Sequence, residues 1–116
     1  MEHRVIDVGN GKSSFTATVV VGDKFKDIFN DILNLPGYDN CVKLASARGR
    51  RLMYLCLDDP SKGQVEVAWD SVNGKDAIYV SIEGDKKLLR DMILMINDVL
   101  LKHGFTLIDG EYEVSL

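Results

Sequence analysis

The stretch QVEVAWDSVNGKDAIYVSIEGDKKLLRDMILMI, residues 64–96, sets the fold class. Strands are read at 64–70 and 77–83, on either side of Asn73-Gly74. Asn-Gly is the strongest short-range signal for a type I′ turn, because both central residues need positive φ. That turn pairs residues whose numbers add to 147. Val65 then lies opposite Ile82, Val67 opposite Val80 and Trp69 opposite Ile78. The other face carries Glu66 with Ser81 and Ala68 with Tyr79. One face is dry and the other wet, as in an antiparallel hairpin packed on one side.

A helix is expected next, over 85–103. It opens on Gly84-Asp85-Lys86 and closes at Gly104, a natural residue just past a helix end. Glycine and lysine between a strand and a helix suggest a phosphate cradle. A P-loop, however, needs G-x4-G-K-[ST]. Here an aspartate follows the glycine, and its carboxylate is expected to cap the first free N–H groups itself. It also supplies the negative charge that the helix dipole favours. The polar residues of this helix, Lys86, Lys87, Arg90, Asp91, Asn97, Asp98 and Lys102, fill one arc of the wheel, which reads as solvated. Leu94 and Leu101 fall inside that arc.

Toward the N-terminus the same order recurs. Strands are read at 4–8 and 13–21 around Asn10-Gly11. Pairs adding to 21 put Ile6 opposite Phe15. Gly22-Asp23-Lys24 leads into a helix over 23–35, with Asp23 as the expected cap. Its apolar residues Phe25, Ile28, Phe29, Ile32 and Leu33 share one face, and Pro36-Gly37 ends it. Strands at 41–47 and 51–57 follow, joined at Arg48-Gly49. Pairs adding to 97 place Cys41 opposite Cys56, read as a reduced pair. A last hairpin is read over 105–116 around Asp109-Gly110, with Phe105 facing Val114.

The chain therefore repeats itself. NGK at 10–12 returns at 73–75, an offset of 63, and GDK at 22–24 returns at 84–86, an offset of 62. The expected fold is α+β, a two-layer sandwich of one antiparallel sheet and two helices. It is built from a duplicated ββαββ unit with pseudo-twofold symmetry. Residues 1–116 are expected to form a single domain, with repeats at about 3–58 and 64–116.

Composition narrows function more than it names it. Of 116 residues 46% are hydrophobic and 28% charged, as in ordinary soluble proteins. The net charge is −4 and the pI about 5.0, which disfavours a dedicated polyanion binder. The chain has no run of apolar residues long enough for a bilayer and no signal-peptide pattern near its start, so no membrane role and a cytoplasmic location are expected.

No motif calls for a cofactor or a metal, and no catalytic residue is singled out. His3 and His103 lack neighbours at metal-ligand spacing. His103, in the last turn of its helix, is read as a dipole partner. The carboxylates Asp58, Asp59, Asp109, Glu111 and Glu113 read as solvated. Lys43, Arg48, Arg50 and Arg51 gather at one hairpin, where β-ribbon contacts to phosphates are conceivable. No aromatic is interleaved there for base stacking. The stretch LMYLCL, 52–57, is apolar at six consecutive positions and reads as covered on both sides.

The leading expectation is a small binding or assembly module without catalysis of its own. It would self-associate or take a protein partner through Leu94 and Leu101. Two alternatives stand beside it: nucleic-acid binding through the arginine hairpin at 48–51, and a small-molecule sensor or enzyme with its site at the seam between the repeats.

Overall fold

Asn73 and Gly74 have φ of 52° and 77°, as a type I′ turn requires, and the hairpin they close organises the sheet. The computed structural model describes residues 2–9, 12–35, 43–47, 50–55 and 60–107. The strands are β1 (Glu2–Gly9), β2 (Lys12–Val20), β3 (Lys43–Ala47), β4 (Arg50–Leu55), β5 (Gly63–Val72) and β6 (Lys75–Asp85). The helices are α1 (Phe25–Leu33) and α2 (Lys86–Lys102). The fold is a small α+β one: two helices and an antiparallel sheet in the order β1-β2-β6-β5-β4-β3. Its central strands β2, β6 and β5 carry the helices.

The β5–β6 register is the one expected, with Val65 opposite Ile82 and Trp69 opposite Ile78. Val65, Val67, Ile78, Val80 and Ile82 are wholly buried. The β3–β4 register also matches, from Lys43 opposite Tyr54 to Ala47 opposite Arg50. Cys41 and Cys56 lie outside the described residues, and so does the question of their contact.

At the centre of the sheet β2 runs antiparallel to β6, with Phe15 opposite Ile82 and Ala17 opposite Val80. Residues 13, 15, 17 and 19 of β2 are buried in turn, and the residues between them are less so. Phe15, Ala17 and Val19 join the inward faces of α1 and α2 in one apolar cluster with Ile28, Ile82, Ile93 and Ile96. Phe25 and Phe29, one turn apart on α1, stack with ring centroids 5.4 Å apart, a favourable offset geometry.

Three expectations need correction. The β1–β2 pairing adds to 21 only at Gly9–Lys12; beyond an irregularity between Asp7 and Gly9 it drops to 20. Val5, not Ile6, lies opposite Phe15. An extra residue on one strand shifts the register and exchanges the faces of everything beyond it.

Asp23 does not cap α1. Gly22, at φ 58°, starts a 3-10 turn over Gly22–Lys24, and Lys24 precedes α1 in a helical conformation with no side-chain cap. Asp85, by contrast, is extended (φ −71°, ψ 168°) and accepts the Leu88 N–H at 2.8 Å. Only an extended residue can fold its side chain over the coming turn. The left-handed Gly22 has already spent the bend one residue earlier.

The third correction concerns the closing hairpin. Phe105, Thr106 and Leu107 form no strand; they loop from the end of α2, and Leu107 is wholly buried. The rest of that hairpin, from 108 on, lies outside the described residues. The exit from α2 is a Schellman motif. Gly104 has φ 86°, its N–H donates to the Leu101 carbonyl, and the Phe105 N–H donates to that of Leu100.

Candidate interaction surface

The inward side of α2 presents Leu89, Met92, Ile93, Ile96, Val99 and Leu100 to the core. At 100° per residue these leave an outward face on which Lys86, Lys87, Arg90, Asp91, Leu94, Asp98, Leu101 and Lys102 are exposed, and Lys87, Arg90, Leu94, Asp98 and Leu101 form one stripe within it. Leu94 is 43% exposed and Leu101 54%. Two turns of helix separate them, about 10 Å along the axis. Val20, at 39%, is the only other large hydrophobic exposed among the described residues. It sits at the end of β2, away from α2's outer face.

The outer face of α1 is different. Lys26, Asp27, Asn30, Asp31 and Asn34 are exposed there, and no large apolar side chain joins them. The two helices pack side by side, so the apolar intrusion is confined to one half of a shared outer surface.

Asn97 is half-buried and holds the chain that follows α2. Its Oδ1 accepts the Leu107 N–H at 2.7 Å and the Thr106 hydroxyl at 3.1 Å. The wheel alone assigned it to the solvated arc. His103 also has a partner that the sequence did not signal: its Nε2 lies 2.7 Å from Asp31 Oδ2 on α1. Nothing local links residues 72 apart.

The arginine hairpin is only partly described. Ala47 lies opposite Arg50, Ser46 opposite Arg51 and Lys43 opposite Tyr54. Strand alternation therefore puts positions 43 and 50 on one face of the sheet and 51 on the other. Arg48 lies outside the described residues, as do Asp58, Asp59, Asp109, Glu111 and Glu113. His3 sits at a β1 position opposite Ala17. Among the described residues no three His, Cys, Asp or Glu side chains gather at metal-binding distance, and no helix is long and apolar enough to cross a membrane.

Comparisons with protein-family models, with curated proteins and with solved structures find no match for this chain.

Proposed function

We propose that the chain is a small cytoplasmic binding or assembly module that self-associates through the outer face of α2 and carries out no catalysis of its own. The observation that carries this reading is the exposure of Leu94 and Leu101 within an otherwise charged stripe. Single exposed leucines are ordinary. Two on one line, on one of two otherwise similar helix faces, fit a surface meant to be covered.

The architecture proposed with it is a single domain, a two-layer sandwich made from a duplicated ββαββ unit. Its support is the register at the middle of the sheet. Ala17 lies opposite Val80, and 80 − 17 = 63, the offset at which NGK recurs. A twofold axis through that pair carries residues 12–20 onto 75–83, within β6. It carries Gly9 onto Val72 of β5, at the same offset, but beyond the irregularity in β1 it carries residues 2–7 onto 66–71, one place off. The first-half positions that would answer to 105–107, just after Gly37, lie outside the described residues.

Sedimentation of the wild-type chain beside a Leu94→Glu/Leu101→Glu variant tests the function. The wild type should shift to a larger species as concentration rises, and the variant should not. Both substitutions are at exposed positions, so the variant should keep its fold. A wild type that stays monomeric throughout ends the self-association reading.

A further inference from the structure

We infer that the partner on this face is a second copy of the same chain, bound with its α2 antiparallel and with Leu94 on the twofold axis. This rests on the self-association reading and adds its geometry. The stripe Lys87, Arg90, Leu94, Asp98, Leu101 spans about 80° of the helix. Within the stripe the charges are ordered along the axis, with Lys87 and Arg90 before Leu94 and Asp98 after it; Asp91 and Lys102 are exposed just beside it. Arg90 and Asp98 sit about 6 Å to either side of Leu94. Among the described residues neither is engaged in an ion pair.

A twofold axis through Leu94 brings each residue n places after it against the residue n places before it on the other copy. Arg90 then faces the partner's Asp98, and Asp98 faces the partner's Arg90. Seven places out, Leu101 faces the partner's Lys87, whose methylene stem can cover a leucine while its ammonium stays in water. All five stripe residues acquire a matched neighbour.

Other arrangements of the same two helices do not. A parallel pair sets Arg90 against Arg90 and Asp98 against Asp98, and like charges across an interface are strongly disfavoured. Sliding the antiparallel pair until Leu94 meets the partner's Leu101 moves the axis between Asn97 and Asp98, which crowds the two Asp98 carboxylates. Charge order thus selects one register.

Need for the charged pairs also follows from size. The leucines are already about half covered, so hiding them further removes little apolar surface, and association has a large entropic cost to overcome. One helix face per copy falls at the small end of interface sizes, so the dimer should be weak and salt-sensitive.

Charge reversal tests the register in the full chain by sedimentation over a concentration series. Arg90→Asp alone and Asp98→Arg alone should each weaken association at least about tenfold, since each sets like charges face to face. The double variant Arg90→Asp/Asp98→Arg should restore association to near the wild-type level. Failure of the double variant to restore it overturns the antiparallel register. If Leu94→Glu abolishes association while neither reversal alters it, this geometry is wrong and self-association stands. If the wild type is monomeric, both fall.

Discussion

His103 on the C-terminal end of α2 holds Asp31 of α1, with Nε2 and Oδ2 2.7 Å apart. The contact is the direct polar tie between the two helices among the described residues. Asp31 is 53% exposed and His103 18%, so water competes for the carboxylate. Half-exposed pairs of this kind contribute about 0.2–1 kcal/mol. A double-mutant cycle with His103→Ala and Asp31→Ala, read by urea unfolding, should give a coupling energy in that range. A coupling of several kcal/mol would mean the helices are held together here rather than by the apolar cluster beneath them.

The start of α2 crosses the sheet where Gly63 lies opposite Gly84. A Cβ on Gly63 would come within 1.9 Å of the Glu83 carbonyl oxygen, and its φ is 154°. A Cβ on Gly84 would meet the Lys62 carbonyl oxygen at 2.6 Å and Leu88 Cδ2 at 2.5 Å. The backbone atoms cannot move aside cheaply. Gly63→Ala should therefore destabilise by roughly 3 kcal/mol or more, from overpacking and backbone strain together. Gly84→Ala should cost about 1–3 kcal/mol. Gly74→Ala is the control: φ is 77° and the space is open, so only conformational strain of about 1 kcal/mol is expected. Thermal midpoints that fail to rank the three in this order would refute the close-approach account.

The two Gly-Asp-Lys turns make a second matched pair. Asp85→Ala removes the carboxylate that accepts the Leu88 N–H and should cost about 1 kcal/mol. Asp23→Ala removes an exposed side chain that caps nothing and should change stability by less than about 0.5 kcal/mol. Denaturant midpoints of the two variants decide this. Equal losses would show that Asp23 caps α1 in solution after all.

This contrast marks where the sequence stopped being legible. Identical tripeptides predict identical turns only if the strands deliver them in the same way. Gly22 is left-handed, whereas Gly84 continues β6. Local signals served well where local chemistry decides the outcome. The Asn73-Gly74 turn set every pair of the β5–β6 hairpin, and Gly104 stopped α2 where a left-handed residue was expected. The exposure of Leu94 and Leu101 could be read from the wheel because it follows from helical periodicity alone. The β2–β6 pairing has no connecting turn to announce it. The irregularity near Val8 is likewise invisible: the Asn10-Gly11 turn gives the register at its own end of the hairpin but not beyond the extra residue. Asn97 looked solvated because the wheel carries no information about chain that returns to the helix.

Asn97 therefore carries the last prediction. Its side-chain oxygen is the acceptor for the N–H of Leu107, a residue with no solvent exposure. Asn97→Leu leaves that buried donor without its partner, at a cost of about 1–3 kcal/mol. Asn97→Asp keeps an oxygen in place and should lose much less. Amide exchange reports the mechanism directly: the Leu107 N–H should exchange faster in Asn97→Leu and stay protected in Asn97→Asp. If both variants lose stability equally while Leu107 stays protected, the cost comes from the α2 surface and not from the anchor. With Asn97→Leu the loop at 105–107 should open first. Leu107 would then leave the cluster under α2, and roughly 1.5–3 kcal/mol of its burial would be lost with it.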